Sequence, residues 1–186
     1  MRGAGGGAIG QDGSVPIYAL GDLVPSIDPS AFVHPEATLI GNVRIGPEST
    51  VWPGVVMRGD HGLISIGART SIQDGSVIHA TALLPTIVGD DCVIGHIVHL
   101  EGCVIEDGSL VGSGSIVLHE ARVCRGGLVG AGAVVGNRVV VPERAMALGI
   151  PAKIREGAAP QDLIRMAAES YVENGRRFRK EMRRID

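Results

Sequence analysis

A parallel β-helix built from hexapeptides is the fold this 186-residue sequence predicts, and three observations predict it. Branched or long aliphatics recur every six residues, with small or turn-forming residues between them. Glycine takes 28 positions, too many for long uninterrupted strands or helices. Phe, Trp and Tyr together make only five residues, although 45% of the chain is hydrophobic. A core filled by small aliphatics suits a narrow, regular prism. Six fits no helical period, and a glycine-rich β-sandwich would alternate with period two.

The elements follow in chain order. The opening MRGAGGGAIGQDGSVP is Gly-rich and lacks the apolar centre of a secretion signal, so 1–22 is expected to be a disordered leader. The β-helix is expected over 23–157. Its inward positions run Val33, Leu39, Ile45, Val51, Met57, then Ile66, Ile72, Ile78, then Val88, Ile94, Leu100. The last run keeps its phase through Ile105, Val111, Val117, Val123, Val129, Val135 and Val141. These eighteen positions, at three per coil, predict about six coils, each bonded to the next at about 4.8 Å. The period of six breaks three times: the step is nine from Met57 to Ile66, ten from Ile78 to Val88, and five from Leu100 to Ile105. Functional side chains gather where a regular scaffold is interrupted. Residues 158–186 then change period. Leu163, Ile164, Ala167, Tyr171, Phe178 and Met182 predict an α-helix packed along the prism wall. Pro160 suits its first turn, and Gly175 is expected to kink or weaken it.

A net charge of −3 points to neither a nucleic-acid nor an anionic-membrane partner. No stretch approaches the roughly 18 apolar residues of a membrane span. Three cysteines without paired spacing fit a reduced, cytoplasmic setting.

The register sorts the polar residues. If Met57, Ile78 and Leu100 share a column, then Arg58, His79 and Glu101, each one residue later, stack on one edge. Asp74 and His96, two residues after Ile72 and Ile94, stack on another. His96 and Glu101 lie about 16 Å apart along extended chain, whereas zinc holds its ligands at about 2 Å. One chain should not bring both to one ion, but two chains packed side by side could. Such packing would also pair Arg58 with Asp74 across the interface. His99 falls out of column and is the poorer ligand candidate. His34 and His119 read as surface residues, and Cys103 as a core filler.

The stretches VMRGD (56–60), SIQDGSVIH (71–79), VIGHIVHLEGC (93–103) and GIPAK (149–153) resemble the gamma class of carbonic anhydrases over about 24–157. The resemblance implies an all-β, left-handed β-helix with a C-terminal helix, assembled as a homotrimer. It implies zinc, or iron, bound between subunits, and reversible hydration of carbon dioxide to bicarbonate. His79 and His96 match family metal ligands, and Glu101 stands where the family has a third histidine. Arg58, Asp60, Gln73 and Asp74 match its polar network at the subunit boundary. Gln73 and Tyr171 are expected to orient the reacting water, and His61 to shuttle protons. GIPAK and the prism also resemble hexapeptide acyltransferases, so a hexapeptide acyltransferase or CoA-ester enzyme is the second reading and a non-catalytic trimeric relative the third.

Overall fold

The computed structural model describes residues 15–186, so the part of the expected leader up to residue 14 lies outside the described residues. The chain winds a left-handed parallel β-helix with three faces. On the first face, the inward residues stacked in register are Ile17, Leu39, Met57, Ile78, Leu100, Val117 and Val135. On the second they are Ile27, Ile45, Ile66, Val88, Ile105, Val123 and Val141. The third carries Val33, Val51, Ile72, Ile94, Val111, Val129 and Ala147.

Seven strands per face make seven coils rather than six. The periodic count omitted Ile17 and Ile27, which precede the regular run, and Ala147, whose short side chain hides its inward position. Ile17–Tyr18 pairs with Thr38–Ile45, so regular structure begins inside the span expected to be leader.

The columns supply most of the stability. Met57, Ile72, Ile78, Ile94 and Leu100 are fully buried, and burying one such side chain is worth about 1.5–3 kcal/mol. The ion pairs along the outside, such as Arg69 with Asp91 at 2.6 Å, are about half exposed and contribute about 0–1 kcal/mol each. Packing therefore decides the fold.

The interruptions of the period now have shapes. Along the strand Val56–Ile66, Gly59 faces Gly41 and Ile64 faces Val43, so residues 60–63 bulge opposite the single residue Asn42. The surplus after His79 leaves as a loop before Thr86, with Leu83 89% exposed at its tip.

Helix α1 (Gln161–Glu181) follows Pro160 and runs back along the third face of its own prism. Its seam is Ile164, Ala168, Tyr171, Gly175 and Phe178, a spacing of four and three. Leu163 and Met166 face outward. Tyr171 and Phe178 pack edge-on against Trp52, with ring centroids 5.8 and 4.9 Å away, and Phe178 also meets Phe32. The helix passes through Gly175 without interruption, because the glycine lies in the seam, where a side chain has no room. A Cβ there would lie 2.5 Å from Thr50 Cγ2. Thr50 is fixed in turn, since its hydroxyl accepts a hydrogen bond from Trp52 Nε1 at 3.0 Å. Among the described residues no helix is long and apolar enough to cross a membrane.

Gly175→Ala normally helps a helix by about 1 kcal/mol. Here overpacking should outweigh that gain, at a cost of about 1–3 kcal/mol. The melting temperature is expected to fall; a rise would show that the seam can absorb a methyl group.

Candidate metal centre

Register alone assembles the first polar edge. Arg58 partners His79 across the ladder, and His79 partners Glu101. Each alternates outward from a buried neighbour, so all three side chains leave the same edge. His79 Nδ1 lies 2.7 Å from Glu101 Oε1. The 60–63 bulge turns Asp60 back toward the edge, and its Oδ1 lies 2.9 Å from His79 Nε2. The other oxygen of Asp60 is bonded to Arg58 Nη1. Burial raises the Asp60 carboxyl, but hydrogen bonds from His79 and Arg58 outweigh it, and the group sits below the usual carboxylate range. Glu101 is held low as well, first by the hydrogen bond from His79.

His99 and His119 also reach this carboxylate. His99 Nε2 is 3.5 Å from Glu101 Oε2, and His119 Nε2 is 3.7 Å from Oε1. His119, read from the sequence as a distant surface residue, belongs to the cluster. The five-residue step from Leu100 to Ile105 conceals this, because it displaces the simple eighteen-residue repeat. Leu118, not His119, follows the ladder partner of Leu100.

The second edge is separate. His96 Nδ1 meets Asp74 Oδ2 at 2.9 Å, and both side chains are 49% exposed. Gln73 is buried beside them. Burial raises the Tyr171 phenol, with a smaller contribution from the negative charge of Asp74. The turn after His96 is closed by Ile97 at a φ of 57°, where the turns of adjacent coils use Gly75 and Gly114. Ile97 is 72% exposed, which leaves an apolar side chain beside His96 on the outer surface. His61 is exposed in the bulge. Cys103 is buried, and its thiol is pushed up to about 12 by desolvation, which suits a core filler.

Among the described residues no three His, Cys, Asp or Glu side chains of one chain are placed to hold a metal ion. The donors nonetheless fit one if two chains contribute. Ligating imidazoles are usually fixed by a carboxylate on the second ring nitrogen. Asp74 does this for His96, and among the described residues nothing pairs with its Nε2. His79 has a carboxylate at each nitrogen, so giving one nitrogen to a metal leaves the other held.

Over 165 residues the chain is 37% identical to a protein of Geobacillus kaustophilus named carbonic anhydrase, covering 88% of this chain and 91% of that one. The chain belongs to the gamma carbonic anhydrase family. Gamma carbonic anhydrase 1, mitochondrial, of Arabidopsis thaliana is 37% identical over 158 residues, which cover 81% of this chain. The match spans only 58% of that plant protein's length. Among solved structures, a hexapeptide transferase family protein from Anaplasma phagocytophilum superimposes with a TM-score of 0.84 at 31% identity, over 88% of this chain and 98% of that one. No family model matches the chain.

Within this member of the gamma family, the site residues expected from the sequence divide between the two edges. Arg58, Asp60, His79 and Glu101 meet on one. Asp74 and His96 meet on the other, with Gln73 and Tyr171 nearby. Arg58 is bonded to Asp60 within its own chain, and Asp74 to His96.

The depressed Glu101 carboxyl has a consequence for the metal-free protein. Its stabilising effect is complete above the ordinary glutamate value of 4.5 and is lost as pH falls through the lower folded value. Glu101→Gln is expected to lower the urea midpoint at pH 7 and to flatten the decline below about pH 4.5. An unchanged acid-side slope would show that Glu101 contributes no such linkage.

Proposed function

We propose that the protein is a homotrimeric metalloenzyme that interconverts carbon dioxide and bicarbonate. One observation carries this reading: each chain presents two carboxylate-braced imidazoles, His79 and His96, on separate edges, with no three donors of one chain placed to hold an ion among the described residues, in a chain of the gamma carbonic anhydrase family. Threefold closure lets the His79 edge of every copy meet the His96 edge of the next. His79 and Glu101, with His96 of the partner subunit, would hold zinc, or iron in its place. When bound, the metal supplies a water whose pKa is lowered towards 7.

The remaining work falls to side chains of this chain. Asp74 fixes the His96 ring so that Nε2 faces outward. Asp60 keeps His79 oriented while Arg58 neutralises it. Gln73 and Tyr171 orient the attacking water toward carbon dioxide. His61, open to solvent at the bulge, passes the released proton to bulk water. Arg58, Asp60 and Asp74 also line the subunit boundary, where Arg58 can exchange its partner for Asp74 of the partner subunit.

The likeness to a hexapeptide transferase family protein favours a second reading, acyl transfer in a cleft between prisms of the same shape. The two braced imidazoles favour the first.

Zinc content, mass in solution and carbon dioxide hydration should be measured together on the wild type and on His79→Ala, His96→Ala and Glu101→His. The wild type is expected to be a trimer with about one zinc per chain, and each alanine variant to lose it. Glu101→His should retain or tighten zinc, since imidazole is a good ligand at that position. A monomeric wild type, or one that hydrates carbon dioxide no faster than buffer when zinc-loaded, would overturn the reading.

A further inference from the structure

The corner of the prism between its third and first faces repeats one backbone shape. Gly54, Gly75, Ile97, Gly114 and Gly132 hold the same place in five successive coils, at φ of 69, 68, 57, 70 and 66°. Stacking imposes the shape, because each of these residues donates its N–H to the coil beside it. Gly75 donates to the Pro53 carbonyl at 3.0 Å, Ile97 to the Asp74 carbonyl at 2.9 Å, and Gly114 to the His96 carbonyl at 2.8 Å. Glycine meets that demand freely, whereas a β-branched residue in the left-handed region is an outlier. Among the described residues seven non-glycine residues lie in this region; six carry a charge, and Ile97 is the apolar one.

The single chain offers this side chain little cover. Ile97 is mostly exposed, and its Cγ1 lies 3.7 Å from where a Cβ on Gly75 would stand, so it protrudes from a corner otherwise lined by glycine. A lone exposed isoleucine needs no explanation. This one is held in a conformation that glycine would adopt without strain, and strained residues gather at functional sites. Its position is the second observation. Ile97 directly follows His96 and hangs from the carbonyl of Asp74, the residue that braces that imidazole. On the other edge, the loop that leaves His79 exposes Leu83 at its tip. That loop is clipped at its base, where the Leu84 N–H donates to the Thr81 hydroxyl at 3.2 Å and the Thr81 N–H to the Leu84 carbonyl at 3.1 Å. Each braced imidazole therefore has an uncovered aliphatic side chain nearby in sequence.

We propose that Ile97 docks on a second copy of this chain, against the Leu83 loop of the partner subunit, and so positions His96 at the boundary between them. The inference rests on the trimer proposed above, in which the His96 edge of one copy meets the His79 edge of the next. Burying the two aliphatics against each other removes apolar surface from water. It also gives the turn beside His96 a fixed point on the partner subunit. The strain at Ile97 then persists because the assembly, and not the single chain, stabilises its side chain. Ile97 is a positioning residue: it acts through His96 and touches no reacting atom.

Dissociation of the trimer on dilution, followed by mass in solution, tests this on Ile97→Gly, Ile97→Asn, Leu83→Ser and the double variant Ile97→Asn with Leu83→Ser. Leu163→Ser, on the outward side of α1, controls for the loss of an exposed aliphatic. Glycine and asparagine both suit a φ of 57°, so the variants should fold, which far-UV circular dichroism checks. Each change at 97 or 83 is expected to raise the concentration at which half the trimer dissociates by about tenfold or more. Zinc affinity, read by competition with a chromophoric chelator, should weaken in step. The double variant should lose little more than either single one, because both act on one contact. Leu163→Ser should match the wild type. If both variants at 97 dissociate and bind zinc as the wild type does, the role of Ile97 is refuted while the trimer and its metal site stand. Additive losses in the double variant would refute the contact with Leu83. A wild type that is itself monomeric would overturn the trimer, and the Ile97 assignment with it.

Discussion

Everything in this molecule depends on stacking one aliphatic side chain over another every coil, at the spacing of paired strands. Met57, Ile78 and Leu100 are buried in one such column, Ile72 and Ile94 in another. A slip of one residue would turn an inward aliphatic outward and a charge inward. The columns therefore fix, to within a residue, which polar groups share an edge. Arg58, His79 and Glu101 are together because their inward neighbours are.

That constraint also separates the two halves of the proposed centre. His96 follows a strand of one sheet and Glu101 ends a strand of the other, so the two leave the prism on separate edges. Each edge meets its own needs while alone: His79 lies between Asp60 and Glu101, and His96 rests on Asp74. In the proposed trimer the carboxylates would keep the imidazoles oriented before a partner arrives, which reduces the ordering cost of assembly. A helix held by Trp52, Tyr171 and Phe178 stiffens the face beside the second edge.

Much of this was legible in the sequence, since a six-residue period is a strong signal and the register follows from counting. The stacking of Arg58, His79 and Glu101, and of Asp74 with His96, needed nothing more. The coil number came out one short because Ala147 carries too small a side chain to register as a core position, and Ile17 and Ile27 precede the regular run. Gly175 reads locally as a helix breaker, and only the packing of Thr50 against it shows that a glycine is required. His119 was hidden by the one-residue deletion after Leu100. The contact between Asp60 and His79 was hidden by a bulge, whose direction no periodicity encodes.

The central claim is that the two edges of one chain serve two different sites. Refolding an equal mixture of His79→Ala and His96→Ala chains and measuring bound zinc tests it directly. In randomly mixed trimers, about one site in four joins an intact His79 edge to an intact His96 edge, so about a quarter of the wild-type zinc should return. A mixture that binds no more zinc than either variant alone would contradict the account.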